Sequence, residues 1–535
     1  MDRGRLGGSR YGDPLEQFQQ RISGHVRYLE HVSVVLFWWG IVPERRQSDL
    51  RRSRPPLGTA DVCRCIGGRD DEAAEGEQTP RKELAVTLES FITSWLGSDL
   101  PVRIEAFDGT VVGSVDAETT VVVHSPDALV RMVMAPGELG LARAYVAGDI
   151  SIAGDIFGLM ALRDRLPEVK LTPTQVAQLV RIVGVRNLRR LPPPPEEHRS
   201  RGRLHTRRRD AAAISHHYDI SNDFYRLVLG SSLTYSCAVF ADSSDTLEEA
   251  QANKYELISR KLGLEPGKRL LDIGCGWGGM VLHAAQHHGV EAVGVTISEP
   301  QAELGRKRVA EAGLADRVEI RLQDYRDTTD GPFDAISSIG MFEHVGMRRL
   351  REYYTRVIDL LAPGGRLLNH AISRTDKARR RLYVRPGLSS RYVFPDGQLH
   401  EVGTVITALQ NGGLEVRHME NLREHYALTL RQWVANLETN WDAAVAEVGE
   451  GRARVWRLYM AASAVLFESD EIHVDQVLAV KPIRSGSSGF PLRPDWEPLG
   501  KGTTPPRHAA SADPGLISRF AIDQQPNPPI SAHMR

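Results

Sequence analysis

The sequence predicts an α/β protein whose main domain is a doubly wound parallel β-sheet, preceded by a small α+β domain. Between residues 214 and about 482, short apolar runs alternate with stretches of helical periodicity, which is typical of βαβ units. One run, LLDIG at Leu270–Gly274, ends in an acid and is followed by further glycines. A buried parallel strand ends in this way where it enters a tight turn and a helix. In such sheets the ligand binds at the carboxyl ends of the strands.

Residues 83–180 indicate the small α+β domain, because apolar residues there change from helical to alternating spacing and back. Its predicted elements are a helix within 84–96, strands at Val102–Phe107 and Thr119–His124, and helices at Ala128–Met134 and Leu139–Tyr145.

The main domain is assigned to residues 211–485, and five runs within it have the length and apolar content of strands. They are Arg269–Ile273, Ala292–Thr296, Val318–Leu322, Ala335–Ser338 and Gly365–Ile372.

Three segments lack the patterns of a folded core. Residues 1–82 are rich in Arg, Gly and Pro and are expected to be disordered or an extension. Residues 181–210 form a linker rich in Arg and Pro, stiffened by Pro192–Pro195. This linker is a solvated spacer, a basic arm for anionic lipid headgroups or, without interleaved aromatic residues to support it, a nucleic-acid contact. Residues 486–535 are expected to be a disordered tail.

The composition excludes several classes of function. The chain has 535 residues and a net charge of −1, so no overall field attracts nucleic acid or membranes, and we expect no nucleic-acid partner. Four cysteines fit a reducing cytoplasm rather than a disulfide framework. The apolar run Val32–Val42 is too short to span a bilayer. No metal is expected, because Cys63 and Cys65 have no second pair. A metal site of Glu343, His344 and His370 would also lack tight spacing.

The glycine turn is the first candidate for a ligand site. Its pattern Asp-x-Gly-x-Gly-x-Gly at 272–278 resembles the S-adenosylmethionine (SAM) site of class I methyltransferases. A dinucleotide fold would use a similar turn for pyrophosphate, so the turn alone leaves both ligands open. The candidate cofactor-binding residues are Tyr235, Ser236, Asp272, Gly274, Gly276, Thr296, Gln301, Asp324 and Tyr325. Asp272 is expected to orient the turn, Thr296 and Gln301 to replace the usual ribose-binding acid, and Asp324 and Tyr325 to face the adenine.

Six segments in a fixed order carry a more specific resemblance. HHYDISNDFY, TYSCAVF, DIGCGWGG, FEHVG, NHAIS and HYALTLRQW resemble the cyclopropane-fatty-acyl-phospholipid synthase family, over about residues 205–482. That family includes the mycolic acid cyclopropane synthases. Residues 83–180, with GELGLARAYVAGDI at Gly137–Ile150, resemble the N-terminal domain of the longer synthases.

The resemblance implies that a cis double bond of an unsaturated phospholipid acyl chain attacks the methyl group of SAM. The resulting carbocation would lose a proton to a bound bicarbonate, closing a cyclopropane ring. The resemblance assigns the bicarbonate site to Cys237, Ile339, Glu343, His370 and Tyr426. The aromatic residues that could stabilise the cation are Tyr218, Tyr235, Phe240, Trp277 and Phe342.

Other outcomes stay open. NHAIS and RYVFPDGQL at Arg391–Leu399 also resemble a subgroup that includes 10-methylene-forming methyltransferases of the tuberculostearic acid pathway. A SAM methyltransferase of a small polar acceptor and a lipid-binding protein with a decayed site are the two further alternatives. We expect an enzyme at the inner face of the membrane, peripheral and cytoplasmic, with Arg374–Arg391 as a candidate headgroup contact. A homodimer is possible.

Overall fold

The computed structural model describes residues 87–135, 137–160, 173–184, 191–198, 221–346, 349–375, 388–394, 397–492 and 494. The predicted extension at 1–82, Tyr218, and most of the linker, of the basic stretch 374–391 and of the tail lie outside these residues. Leu84–Arg535 forms one compact unit. In the described part, no helix has the length and apolar character needed to cross a bilayer.

The small N-terminal region has four strands and the helices around them. The strands are β1 (Arg103–Ala106), β2 (Val111–Val112), β3 (Thr119–Val123) and β4 (Ile150–Gly154). They lie in the order β2-β1-β3-β4, in which only the β1–β3 pair is parallel. The described helices are α1 (Leu88–Leu96), α2 (Pro126–Met134), α3 (Glu138–Val146), α4 (Ile156–Met160) and α5 (Pro173–Val183). Strand β4 has no counterpart among the predicted elements.

A seven-stranded sheet forms the centre of the main region. Its strands are β5 (Arg269–Ile273), β6 (Glu291–Thr296), β7 (Val318–Leu322), β8 (Phe333–Ile339), β9 (Leu361–Arg374), β10 (Glu415–Asn421) and β11 (Ile472–Val480). The order is β10-β11-β9-β8-β5-β6-β7. Strands β6 and β7 lie on one side of β5 and the later strands lie on the other, so the strand order reverses between β5 and β8. Ligands of open α/β sheets bind in the crevice at the carboxyl ends of the strands at such a reversal.

The sheet is a doubly wound α/β sheet, and it differs from the prediction at one edge. The five predicted strands are β5–β9, and they pair in parallel. Strand β11 is antiparallel to both β9 and β10, and neither β10 nor β11 was predicted. The sheet is therefore mixed rather than wholly parallel.

Nine helices flank this sheet within the described residues. They are α6 (Asn222–Leu229), α7 (Leu247–Leu262), α8 (Gly279–His288), α9 (Glu299–Glu311), α10 (Leu350–Leu360), α11 (Val402–Asn411), α12 (Arg423–Thr439), α13 (Trp441–Val448) and α14 (Glu450–Glu468). A capping box of Thr246 and Glu249 starts α7, and Gly263 in a left-handed conformation ends it. This fixes the register of a helix that carries several site residues.

The described part of the linker is packed against the protein. The Glu197 carboxylate accepts hydrogen bonds of 2.6 and 2.7 Å from the Arg143 guanidinium, and its side chain is 1% exposed. His198 N donates to the Arg391 carbonyl at 2.7 Å. Residues 191–198 therefore hold α3 and the chain near Arg391 together, which a free spacer would not do.

Candidate active site

A cavity of about 1220 Å³, including space open to solvent, lies at the carboxyl ends of the central strands. All nine residues predicted to bind the cofactor line it: Tyr235, Ser236, Asp272, Gly274, Gly276, Thr296, Gln301, Asp324 and Tyr325. Ile339, predicted as part of the catalytic set, lines it as well. The structure therefore brings together residues that are spread over about a hundred positions of the chain.

The glycine turn forms the floor of this cavity. Gly274 N and Cys275 N both donate to the Val295 carbonyl, at 2.9 and 3.0 Å, which ties the turn to β6. Gly276 has φ +55°, and a Cβ atom placed there would meet nothing within 4 Å. The backbone at Gly276 is thus open to a ligand that a side chain would displace.

The Asp272 carboxylate, at the end of β5, is tied to the neighbouring strand. It accepts a hydrogen bond of 2.7 Å from Ser337 Oγ on β8. Its burial raises its pKa to about 6, against the effects of the Ser337 bond and the nearby Lys254. Asp272 therefore joins β5 to β8 beneath the cavity and also lines the cavity wall.

The far wall carries the other predicted contacts. Thr296 Oγ1 donates to Gln301 Oε1 at 3.0 Å, and both side chains are buried. Asp324 accepts hydrogen bonds from the Arg326 guanidinium at 2.8 and 3.0 Å. The Tyr325 ring packs edge-on against Tyr353, with ring centres 5.2 Å apart. Asp324 thus faces the cavity as part of an ion pair rather than as an isolated acid.

Three residues of α7 hold the loop that carries Tyr235 and Ser236. Gln251 Nε2 donates to the Ser236 carbonyl at 3.0 Å, and Lys254 Nζ donates to Ser236 Oγ at 3.0 Å. The Tyr255 hydroxyl lies 2.8 Å from Thr234 Oγ1. These residues are three and four positions apart, so they share one face of the helix. That face positions the loop against the cavity.

A second, smaller polar site is assembled from β8, β9 and the turn after β8. Ile339 and His370 are direct partners in the parallel β8–β9 ladder. Glu343 lies in a short 3₁₀ helix, Phe342–His344, and its Oε1 accepts a hydrogen bond of 2.6 Å from Ile372 N. His370 Nδ1 lies 3.2 Å from Gln476 Nε2 on β11. Three of the five predicted catalytic residues are thereby neighbours.

Cys237 and Tyr426 meet at one carbonyl group. The Leu422 carbonyl accepts from Tyr426 N at 3.1 Å and from Cys237 Sγ at 3.7 Å. Leu422 N donates to the Val474 carbonyl, and Val474 is the β11 partner of Ile372. Cys237 and Tyr426 are therefore connected to the sheet beside the Ile372 amide that Glu343 binds.

Two buried polar atoms of this second site have no hydrogen-bond partner among the described residues. They are Glu343 Oε2 and His370 Nε2. Buried polar atoms are normally satisfied, so Glu343 Oε2 and His370 Nε2 are the two atoms of this site that still need a hydrogen-bond partner. An oxyanion that also carries a hydroxyl group fits such a pair, because it both accepts and donates.

Burial sets the charge of this region. It raises the pKa of Glu343 to about 7, although the Ile372 amide favours the carboxylate. It lowers the pKa of His370 to about 3, and the positive charges of Lys254 and Lys261 act in the same direction. His370 is therefore neutral near pH 7. Burial also raises the pKa of the Cys237 thiol, which is no thiolate and offers its backbone or a neutral S–H.

Aromatic side chains pack between the cavity wall and Tyr426. Tyr235 stacks on Trp433 with ring centres 5.4 Å apart, and Trp433 lies 6.0 Å from the Tyr426 ring. Tyr225 lies 5.0 Å from Trp277 and 5.6 Å from Trp456. The region next to the predicted methyl donor is consequently apolar and rich in π faces.

The predicted aromatic set is divided by the structure. Tyr235 and Trp277 line the cavity. Phe240 instead stacks on His425, and Phe342 is buried against Tyr354 and His400. These last two are packing residues rather than parts of the cavity wall.

Sequence reasoning missed Lys254, Lys261, Gln476, Trp433 and Trp456. The two lysines had a usable signal, because they fall on the buried stripe of α7 with Leu247, Leu257 and Ile258. A charged residue at helical spacing within an apolar stripe is either paired or functional. Gln476 had no such local signal.

Away from the cavity wall, one cluster of the described residues has the composition of a metal site. Glu256 Oε2 lies 3.3 Å from His283 Nε2 and 3.0 Å from His288 Nε2. Both histidines are hydrogen-bonded to the Glu256 carboxylate, and none of the three residues lines the cavity.

Comparison with known proteins gives one family. The family model described as mycolic acid cyclopropane synthetase matches residues 205–477. This range contains both the cavity and the second polar site.

Among curated proteins, three relatives cover most of the chain. A probable fatty acid methyltransferase of Mycobacterium tuberculosis is 46% identical over 431 residues, which are 78% of this chain and 100% of that protein. A tuberculostearic acid methyltransferase of the same species is 34% identical, covering 75% of this chain and 93% of that protein. A cyclopropane-fatty-acyl-phospholipid synthase of Escherichia coli is 34% identical, covering 68% and 88%.

Proposed function

The chain belongs to the mycolic acid cyclopropane synthetase family, and we propose that it adds one carbon from SAM to a cis double bond in an unsaturated phospholipid acyl chain, forming a cyclopropane. It is a SAM-dependent enzyme of the methyltransferase class.

The observation that carries this proposal is the pair of unsatisfied atoms, Glu343 Oε2 and His370 Nε2, next to the lined cavity. Transfer of a methyl group to an oxygen or nitrogen atom also releases a proton, but that proton comes from the acceptor atom. Cyclopropane formation removes a proton from the transferred carbon itself, so it needs a base beside the methyl group, within the apolar surroundings. The second site therefore favours carbon as the acceptor over a small polar molecule.

In the first step, the alkene π electrons form a bond to the methyl carbon while the bond from that carbon to sulfur breaks. S-adenosylhomocysteine leaves, and the positive charge moves to the acyl chain. An alkene is a weak nucleophile, so the rate depends on alignment of the double bond with the methyl group. The loop that Gln251 and Lys254 tie to α7 would supply this alignment.

The cation has to survive until the proton leaves. Water would trap it as an alcohol, and the buried aromatic wall excludes water. Tyr235 lines the cavity, and stacking on the fully buried Trp433 holds its ring in place. An aromatic face next to a cation contributes about 0.5–2 kcal/mol, depending on desolvation.

In the second step, a C–H bond of the transferred carbon breaks. Its electron pair closes the ring onto the cationic carbon, and the proton leaves. Bicarbonate, when bound, supplies the base for this proton. The open His370 Nε2 and Glu343 Oε2 fit it, and Cys237, Ile339 and Tyr426 would complete its surroundings.

The second candidate is formation of a 10-methylene chain. It is favoured by the tuberculostearic acid methyltransferase match, which covers 75% of this chain. Here a hydride shift precedes proton loss, and an exocyclic double bond forms instead of a ring. The residues that bind SAM and start the reaction would be the same in both cases.

A phospholipid substrate implies contact with a membrane surface. We propose a peripheral enzyme that takes the acyl chain from the inner leaflet, and a homodimer is compatible with this arrangement. Co-sedimentation with oleoyl phospholipid vesicles tests the contact: binding that weakens with added salt is expected, and no binding at low salt would contradict it.

The reaction itself is tested with SAM that carries a fully deuterated methyl group and with oleoyl phospholipid vesicles. Proton loss from the transferred carbon leaves two deuterium atoms in the product, for a ring or a methylene group alike. Transfer to an oxygen or nitrogen atom leaves three. Retention of three deuterium atoms would contradict the proposal.

A further inference from the structure

A buried lysine and a buried glutamine stand behind His370. Lys261 Nζ donates to Gln476 Oε1 at 2.7 Å and is also paired with Glu420 Oε2. Gln476 Nε2 lies 3.2 Å from His370 Nδ1, and Gln476 is the direct partner of His370 in the β9–β11 ladder. Lys261, Gln476 and His370 are each at most 2% exposed. The three residues form a connected line from α7 to the second polar site.

The lysine fixes the direction of the hydrogen bonds in this line. A lysine ammonium group has donors only, so the oxygen of the Gln476 amide has to face it. The amide nitrogen of Gln476 then faces His370, and it also has donors only. His370 Nδ1 must therefore accept, and it carries no proton.

The consequence falls on the other imidazole nitrogen. A neutral imidazole carries one proton, and with Nδ1 as acceptor that proton is on Nε2. Nε2 is the atom left without a partner among the described residues. A buried N–H without an acceptor is costly, so this arrangement is complementary to an oxyanion and not to a hydrogen-bond donor.

We infer that Gln476, held by Lys261, is a positioning residue that keeps the proton of His370 on Nε2 and so turns His370 into a fixed donor for the bound oxyanion. This inference rests on the proposed function, in which bicarbonate occupies the second site. It assigns a role to Lys261, a charged residue in the buried stripe of α7, and to Gln476, which has no local signal in the sequence.

The charged groups around His370 agree with a fixed neutral tautomer. Lys254 and Lys261 approach from α7, and both disfavour the imidazolium. Glu343 follows β8 and is bonded to Ile372, two residues along the strand from His370. Glu420 lies behind Lys261 on β10 and pairs with that lysine rather than with His370.

Gln476→Glu is the test, because it preserves size and the acceptor for Lys261 but removes the donor that faces His370. The new carboxylate favours a proton on Nδ1, which either moves the proton away from Nε2 or adds a second one. The added negative charge raises the pKa of His370, so the variant forms the imidazolium, which restores the Nε2 proton, at a higher pH than the wild type does. Turnover and bicarbonate affinity of the variant should therefore recover as pH falls.

The first readout is spectroscopic. Nitrogen-15 spectra of protein labelled at the histidine rings, with His370 assigned by its loss in His370→Gln, should show the Nε2–H tautomer in the wild type. The Gln476→Glu spectrum should show Nδ1 protonated at pH 8. An Nδ1–H tautomer in the wild type would overturn the inference.

The second readout is bicarbonate affinity, measured by calorimetry on the S-adenosylhomocysteine-saturated protein. Gln476→Glu should weaken it about 10- to 100-fold at pH 8, as expected for one lost hydrogen bond to a charged group, with unchanged affinity for S-adenosylhomocysteine. Gln476→Met, a variant without either polar group, should give mixed tautomers and an intermediate loss.

Glu420→Gln is the matched control. It removes the ion pair of Lys261, which is buried while Glu420 is 37% exposed, but a glutamine oxygen can still accept from the lysine. Lys261 remains a donor to Gln476, so the tautomer should stay that of the wild type and the bicarbonate affinity should fall far less than in Gln476→Glu. An equal loss in Glu420→Gln would show a merely structural role. If the wild type binds no bicarbonate, the proposed function fails, whereas an unaltered Gln476→Glu variant contradicts only this inference.

Discussion

Replacement of Glu343 by Gln separates function from stability in this site. Glu343 Oε1 accepts a hydrogen bond of 2.6 Å from Ile372 N, and a glutamine oxygen preserves that contact. The amide nitrogen then takes the place of Oε2, which is the open acceptor. The variant therefore changes one acceptor into a donor without changing shape.

The effect on turnover follows from that change. The glutamine NH₂ group would face the hydroxyl group of the bound bicarbonate, which is itself a donor. The hydrogen bond from that hydroxyl group to the Glu343 carboxylate is therefore lost. The loss is about 1.5–3 kcal/mol, or roughly 10- to 100-fold in turnover. SAM affinity should be unchanged within about twofold, because Glu343 does not line the cavity wall.

The effect on stability has the opposite sign. Burial raises the pKa of Glu343 from 4.5 to about 7, so the folded protein holds a proton that the unfolded chain has released between these pH values. The free energy of unfolding of the wild type therefore falls as pH rises through this range, by about 3 kcal/mol in total. Glu343→Gln avoids that cost and should be more stable than the wild type at pH 8, with the advantage gone near pH 4.

Three measurements test the prediction for Glu343→Gln: turnover on oleoyl phospholipid vesicles, SAM affinity by calorimetry, and urea unfolding at pH 4 and pH 8. Glu424→Gln, at a carboxylate that is 68% exposed, is the control and should change none of them. The reasoning is refuted if Glu343→Gln loses SAM affinity in parallel with turnover, or if it is less stable than the wild type at pH 8.

Gly276→Val should abolish SAM binding measured by calorimetry, because the new side chain projects into open space in the cavity, and retained affinity would contradict the site. The left-handed backbone there adds a stability cost of about 1–3 kcal/mol, so thermal unfolding is recorded alongside. Lys254→Met should weaken SAM binding about fivefold through the loss of one hydrogen bond to Ser236. Because burial lowers the pKa of Lys254 from 10.5 to about 7, the variant should be more stable than the wild type at pH 7, and the difference should shrink as pH rises towards 10.5. An advantage that grows with pH in urea unfolding would disprove that assignment. Trp433→Leu should lower turnover about 3- to 30-fold, because the loss of stacking frees the Tyr235 ring that faces the cation, and unchanged turnover in the vesicle assay would show that Trp433 only packs.

The sequence predicts the parallel half of the sheet well. Strands β5 and β7 have the predicted bounds, and β6, β8 and β9 are longer than predicted by a few residues. Each is a short apolar run between turns, which is a local signal. Strand β11 was not predicted, because it forms by pairing with β9, which is distant in the sequence. Ile472 pairs with Arg374, about a hundred residues earlier in the chain.

The site was predictable to the extent that it rests on motifs. The glycine turn and the resemblance gave the cavity-lining residues, and the structure brings all nine together. The contacts of individual side chains were harder to predict from the sequence. Asp272 bonds to Ser337, 65 positions further along the chain, and only the folded sheet brings the two together. Asp324 is paired with Arg326, which is only two positions away, so that partner was within reach of local sequence reasoning. The open atoms of Glu343 and His370 are a property of packing alone.

The most direct test of the central claim is gas chromatography with mass spectrometry of fatty acids from a host rich in oleoyl phospholipid, with and without this chain. We expect a saturated product one carbon longer than oleate that contains a cyclopropane ring, and we expect Glu343→Gln to lose it. A product of the same length with an exocyclic double bond would contradict ring closure and establish the methylene outcome. Oleate left unchanged in cells that contain the folded protein would contradict one-carbon transfer to the acyl chain.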